Sequence, residues 1–337
     1  MRRAVLIVLV AGLVLAAAGG AWLRQRLAAP YQGYAGAEVF VELPSGAGVR
    51  AIAAQLAEAG VVTDPVTFRI AARLAGADRR LQAGEYRFAG PATPWTVVDR
   101  LARGDVYAHP VTFPEGLTIR EMAVVFERTG LGTRGAFESA AGDASLARAW
   151  DPTARSLEGY LFPDTYALPR RAGADGTVRA MVDGFDRAFD ASLRDAAKAQ
   201  GLSIRDVVTL ASLIEKETAR ADERALVAAV YRNRLRIGMP MQCDPTVIYA
   251  LMLAGRWDGN IRRADLQIDS PYNTYRYAGL PPGPIASPGK ASLEAALAPA
   301  DVPYLYFVSR NDGSHVFAST LAEHNANVRR WQIRRGR

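Results

Sequence analysis

The sequence predicts an α+β protein: one N-terminal transmembrane helix, a small α/β module and a larger mixed α+β domain. Three observations predict it. Residues 4–23 form an uncharged apolar run between Arg2-Arg3 and Arg24. A strand–helix–helix–strand–helix pattern over residues 38–108 returns at a constant offset in residues 109–190. From residue 203 onward the apolar positions follow a helical period, broken by one long loop.

The chain has 337 residues, half of them hydrophobic and 22% charged, with a mean hydropathy near zero. That supports more than one packed core and excludes a disordered chain. The formal net charge is +7. Lys198, Lys216 and Lys290 are the only lysines, and the arginines are scattered, with no run of five or six. Solvated surface charge is therefore expected, and no nucleic-acid partner. Cys243 is the sole cysteine, so no intramolecular disulfide forms and burial must hold the fold.

Residues 1–3 read as a cytoplasmic stub, 4–23 as the transmembrane helix and 24–37 as a linker. About 20 apolar residues span a bilayer as a helix. The apolar part of a cleaved signal peptide runs to about 15 residues at most. An uncleaved anchor is therefore favoured over processing near Ala16-Ala17-Ala18, and everything after Arg24 is exported either way. The protein is expected in the cytoplasmic (inner) membrane as a single-pass protein with its folded part outside.

Residues 38–108 form the small module and 109–337 the larger domain. A strand over 39–43 leads to a helix with Val49, Ile52, Ala53, Leu56 and Ala57 on one face, ended by Gly60. Asp64-Pro65 opens the next helix as N-cap and first helical residue. A strand over 81–88 and a short helix over 96–102 complete the unit. Its second copy follows at an offset of 70: Pro44, Gly46, Arg50, Ala53 and Gly60 recur as Pro114, Gly116, Arg120, Ala123 and Gly130. In the second copy Glu158 stands before a glycine where the first has no acid, and a charge difference between copies marks a candidate for function.

Helices follow over 204–219 and 223–237, the latter stopped by Gly238, and Asp244-Pro245 caps a third through residue 253. Residues 267–289 are a long loop rich in Pro, Gly and Tyr; such length inside a compact domain is usually functional. A hairpin turns at Asn311-Asp312-Gly313, and Thr320 with Glu323 forms a capping box for the last helix.

Chemistry concentrates at the end of the 204–219 helix. Thr209, Ser212 and Lys216 make its polar edge, and Glu215 and Glu217 lie on opposite flanks of its apolar face. Either one fits a half-buried carboxyl with a raised pKa, which a general acid at neutral pH requires. Periodicity does not choose between them. His315 and His324 lack metal-ligand spacing, no glycine-rich phosphate cradle is present, and neither a metal nor a cofactor is expected.

Several long segments resemble one family. They are Leu157-Glu158-Gly159-Tyr160-Leu161-Phe162-Pro163-Asp164-Thr165-Tyr166, Ala211-Ser212-Leu213-Ile214-Glu215-Lys216-Glu217-Thr218, Asp244-Pro245-Thr246, Ser270-Pro271-Tyr272-Asn273-Thr274-Tyr275 and Gly279-Leu280-Pro281-Pro282-Gly283-Pro284-Ile285. In this order they resemble the endolytic murein transglycosylases, the YceG-like family. The resemblance implies an inner-membrane anchor, a LysM-like module over 38–108 and a catalytic domain over 109–337. It also implies a catalytic carboxyl at Glu215, with peptidoglycan glycan strands as substrate and peptidoglycan synthases as possible neighbours. The implied reaction cuts the MurNAc–GlcNAc β-1,4 bond, leaves 1,6-anhydroMurNAc ends and ends strand growth. Substrate contacts are expected from Glu158, Tyr166, Gln242, Asp244, Tyr272, Asn273 and Tyr275, with Asn273 near an N-acetyl group. One departure is Cys243, where the family carries Ser or Thr; if that hydroxyl touches sugar, the contact is weakened here. Two alternatives remain: a hydrolase using Glu158 or Asp244 as second carboxylate, and a glycan-binding scaffold without activity.

Overall fold

The structure, a computed structural model, describes the backbone of residues 2–333 and the side chains of residues 6, 7 and 9–333. The chain divides into two compact units. One comprises the residues up to His109 with Ala167–Arg171; the other comprises Pro110–Tyr166 and the residues from Ala172 onward.

The first unit runs α1 (Arg2–Ala28), β1 (Val39–Leu43), α2 (Val49–Glu58), α3 (Pro65–Leu74), β2 (Gly84–Phe88) and α4 (Pro94–Arg103). β1 and β2 pair antiparallel with Val41 opposite Tyr86. Alternation turns Val41, Leu43, Tyr86 and Phe88 to the buried face, where Ile52, Leu56, Phe68, Val98 and Leu101 of the helices cover them. α3 begins where Asp64-Pro65 predicts: Asp64 Oδ1 accepts from the Val66 and Thr67 N–H groups at 3.0 and 2.8 Å. Gly104 stops α4 in the left-handed conformation, φ 72°.

The N-terminal stretch departs from its expectation. Residues 24–28 continue α1 instead of starting a linker, and Leu27 is buried. Tyr31 then pairs with Ala92 through two backbone hydrogen bonds of 3.0 Å, so the expected linker is tied down. Along α1, Leu6, Ile7, Leu9, Val10, Leu13, Val14 and Leu15 are exposed. Among the described residues no helix is long and apolar enough to cross a membrane. The expected span over 4–23 includes residues 4, 5 and 8, whose side chains lie outside the described set.

β3 (Ala108–Thr112) pairs with β4 (Thr165–Pro169), enclosing α5 (Ile119–Arg128) and α6 (Arg134–Gly142) in sequence, and α7 (Gly173–Ala188) follows. The order strand–helix–helix–strand–helix thus occurs twice. The rest of the second unit is α8 (Ala191–Ala199), α9 (Ile204–Glu217), α10 (Arg224–Arg236), α11 (Asp244–Leu253), α12 (Lys290–Leu297), the hairpin β5 (Tyr306–Ser309) and β6 (His315–Ala318), and α13 (Leu321–Val328). Thr320 and Glu323 form the predicted capping box of α13.

α9 is the centre of this unit. Ser203 caps it through a capping box with Asp206, and every residue from Val207 to Ile214 is buried. The expected polar edge is therefore not a solvated one. Thr209 and Ser212 lie under the loop that precedes α12: Ser212 Oγ donates to Thr209 O at 2.7 Å and accepts from Ile285 N at 3.1 Å. A hydroxyl on an apolar helix can face inward when it satisfies main-chain groups, and that of Ser212 does, whereas the buried Thr209 hydroxyl has no hydrogen-bond partner among the described residues. Ser212→Ala leaves the buried Ile285 N–H without its acceptor and should cost about 1–3 kcal/mol of stability. Denaturant unfolding reads this directly, and an unchanged midpoint would show that the loop does not depend on Ser212.

Candidate active site

Burial of α9 leaves its last turn to meet two other segments. Glu215, half-buried, turns to the start of α12, where Gly289 N donates to its Oε2 at 3.0 Å. The β3–α5 connection passes on the other side. Gly116 N donates to Ser287 O and Ser287 N to Leu117 O, both at 2.9 Å, which clamps this connection to the loop before α12. Gly116 has φ 75°, a conformation that favours glycine, and a Cβ there would touch the aliphatic stem of Glu215. Lys216 Nζ donates to Gly116 O at 3.0 Å. The Glu215 carboxyl is thus held by one main-chain donor, Gly289 N–H, at a place where three parts of the chain are tied together.

Sequence reasoning missed a second carboxyl here. Glu115, an exposed residue before Gly116, lies against Gly289, and a Cβ on Gly289 would overlap its carboxyl group. Partial desolvation and then the charge of Glu215 push the Glu115 carboxyl above its ordinary range, with Arg224 opposing. The repeat held the signal: at the offset of 70, Ser45 of the first copy faces Glu115 of the second.

Glu217 points elsewhere. Its Oε1 accepts from Tyr231 OH at 2.6 Å, and burial raises its carboxyl while hydrogen bonds from Tyr231 and Cys243 counter this. Nearby, Glu223 accepts from His315 N at 2.9 Å and pairs with His315 Nδ1 at 2.7 Å. The two glutamates of the Glu-Lys-Glu segment therefore have different settings: Glu215 on a main-chain donor, Glu217 inside a side-chain network.

The other expected site residues divide. Asp244 is the first residue of α11 rather than its cap; Cys243 holds the cap position without a side-chain capping bond, and exposed Asp244 accepts from Tyr275 OH at 2.6 Å. Exposed Gln242, next to them, has φ 50°. Tyr272 packs against Tyr249 with the rings tilted, centroids 4.9 Å apart, and lines a small pocket with Glu158, Arg155 and Arg205. Glu158 is 8% exposed; Ile119 N and Tyr249 OH donate to it at 3.1 and 3.2 Å. Burial pushes its carboxyl up to about 8 against those donors.

Two expectations need correction. Asn273 is fully buried: its amide donates to Leu266 O and Ile268 O at 2.9 and 2.8 Å, and its Oδ1 accepts from Tyr275 N at 3.0 Å. It staples the loop and has no polar atom left for an N-acetyl group. Tyr166 is buried against Phe113, with its hydroxyl donated to Phe162 O at 2.7 Å. Gly184 exists where a Cβ would meet that ring's hydroxyl, so Tyr166 is a packing residue.

A profile of the YceG-like family matches residues 41–330. The chain belongs to the YceG-like family. It is 33% identical over 324 residues to the endolytic murein transglycosylase of Bacillus subtilis, covering 91% of this chain and 89% of that one. It is 31% identical to the endolytic murein transglycosylase of Streptococcus pneumoniae, covering 86% of this chain and 58% of the longer relative. The crystal structure of a YceG-like protein from Listeria monocytogenes superposes with a TM-score of 0.58 at 32% identity, over 86% of this chain and 99% of that one. In this YceG-like chain Cys243 is 1% exposed and turned to Glu217, so the expected loss of a sugar contact does not apply. Burial pushes the thiol well above its ordinary range, which makes it an inert packing group.

The Glu158 setting predicts a pH dependence. Its folded pKa lies above the unfolded value, so the fold holds the proton more tightly and loses stability as pH rises from about 4.5 through 8. Glu158→Gln keeps an acceptor for Ile119 N and removes the titration. Thermal unfolding across that range should fall less steeply in the variant, and an identical slope would refute the buried, proton-holding state of Glu158.

Proposed function

We propose that this protein is an endolytic lytic transglycosylase of peptidoglycan, cutting the MurNAc–GlcNAc β-1,4 bond and leaving 1,6-anhydroMurNAc ends. The observation that carries the reading is the half-buried Glu215 carboxyl, held by the Gly289 N–H at the end of a rigid, buried helix. A catalytic group needs such fixed positioning more than any particular neighbour. The relatives' names and the membership in the YceG-like family support the same chemistry.

In this mechanism protonated Glu215 donates to the glycosidic oxygen as the bond to the muramic acid C1 breaks, and positive charge develops on that ring. The muramic acid 6-hydroxyl attacks C1, and the Glu215 carboxylate takes the hydroxyl proton. The proton given to the leaving sugar is thus recovered, and the nucleophile comes from the substrate. Gln242, Asp244 and Tyr275, clustered where α11 begins, and Tyr272 beside Glu158 are the surfaces proposed to carry the flanking sugars. A tyrosine offers sugar a flat apolar face and a hydroxyl.

The first unit has the order strand–helix–helix–strand, with its two strands antiparallel, which supports a LysM-like glycan-binding module over residues 38–108. The uncharged run over 4–23 of the sequence is what supports a single-pass anchor in the cytoplasmic membrane. Cleavage beside the membrane then falls on nascent strands, ends their growth, and brings the enzyme close to peptidoglycan synthases.

A hydrolase is the reading to separate from this one, because a second carboxylate does lie beside Glu215. It is Glu115, whereas the carboxyls of Glu158 and Asp244 are engaged by Tyr249 and Tyr275. Glu215→Gln should keep the unfolding temperature and lower strand cleavage by at least about 10³-fold. Mass spectrometry of the wild-type digest should find anhydro ends. Reducing ends would establish the hydrolase, and a folded wild type that binds sacculi without shortening strands would leave only a scaffold.

A further inference from the structure

Glu115 has a setting that the single-acid mechanism does not use. Gly289 is the residue on which both carboxyls converge: its N–H donates to Glu215 Oε2, and its Cα faces the Glu115 carboxyl. Its backbone is ordinary, φ −75° and ψ 170°, so any residue could adopt it. A Cβ there would meet the Glu115 carboxyl and displace it. The glycine therefore lets the second acid lie beside the first.

The surroundings do not neutralise this pair. Lys216 of α9 donates to Gly116 O rather than to either carboxyl, and Lys290 of α12, next to Gly289, pairs with Asp190 and Glu294. Arg224 of α10 acts on Glu115 from outside hydrogen-bonding range and is outweighed by partial desolvation and the charge of Glu215. Two close carboxyls without an intervening cation do not both ionise readily, and the last proton belongs to the pair.

We infer that Glu115 is a positioning residue for the reaction, forming with Glu215 a carboxyl pair at Gly289 that holds the proton Glu215 delivers. The inference rests on the reading of Glu215 as the acid. When Glu215 gives its proton to the glycosidic oxygen, the pair becomes doubly ionised. The proton taken from the 6-hydroxyl restores the singly protonated state, so no proton is gained or lost over a turnover. Glu115 never touches the sugar in this scheme; its charge holds the proton where Glu215 can deliver it.

The test is the pH profile of kcat/KM for strand cleavage by the full-length protein, wild type beside Glu115→Gln, Gly289→Ala and Glu215→Gln. Glu115→Gln removes the like charge, so the alkaline fall in activity should begin about one pH unit lower while cleavage persists at acid pH. Gly289→Ala puts a methyl group where the Glu115 carboxyl lies and should move the same limb in the same direction; it serves if Glu115→Gln does not fold. An unmoved alkaline limb in a folded variant overturns the inference. So does loss of cleavage at every pH in folded Glu115→Gln, which would make Glu115 a reacting group itself. If Glu215→Gln still cleaves, the underlying reading has failed; if it is inactive and the Glu115→Gln limb is unmoved, only the carboxyl pair has failed.

Discussion

The site depends on one constraint: α9 is buried on nearly every side, so its last turn has a single position. Eight consecutive residues, Val207–Ile214, are out of solvent, and they include two hydroxyls. A helix buried all round must satisfy its polar side chains internally. Ser212 does so by holding Ile285, which fixes the approach of the loop to α12. Gly289 then arrives with its N–H against Glu215. Core packing and site geometry are consecutive links of one chain of contacts, and a loose loop would release both.

Much of this was legible locally. The Asp64-Pro65 cap, the Thr320–Glu323 capping box and the break after α10 at Gly238 are short-range signals, and each lies where its residues place it. Glu215 and Glu217 were correctly separated by helical angle to opposite flanks, yet nothing local told which faced a main-chain donor and which a tyrosine. That distinction comes from Gly289 and Tyr231, 74 and 14 residues away. Asn273 and Tyr166 failed for a related reason. A polar residue reads as exposed until its hydrogen-bond partners are known, and all of theirs are main-chain atoms. Glu115 was within reach of sequence reasoning, because comparison of the two copies places it opposite a serine.

Four carboxyls gather near the ends of α5, α9 and α12, and their partners sort them. Glu158 is enclosed by an amide and a phenol and sits behind Tyr272. Glu217 is enclosed by a phenol and a thiol. Burial drives both toward their neutral forms. Glu215 is half-buried and Glu115 exposed. A proton donor to a large polymer must combine a fixed orientation with access; Glu158 has a main-chain donor but is buried, whereas Glu215, the proposed donor, has one and is only half-buried. The other three set the surroundings.

Access also bears on Gln242. A glutamine at φ 50° is uncommon and carries a backbone cost of order 1–3 kcal/mol. That conformation persists because the flanking amides are held: Gln242 N donates to Thr274 O at 3.2 Å and Cys243 N to Thr274 Oγ1 at 3.0 Å. A relaxed backbone would break one of these bonds and free the long loop from the start of α11. The strain therefore has a structural reason, the docking of the loop that carries Tyr272 and Tyr275. It also has a consequence for the surface, since the turn leaves the Gln242 side chain exposed beside Asp244. The same two hydrogen bonds thus shape both the loop and the polar surface proposed to meet the glycan.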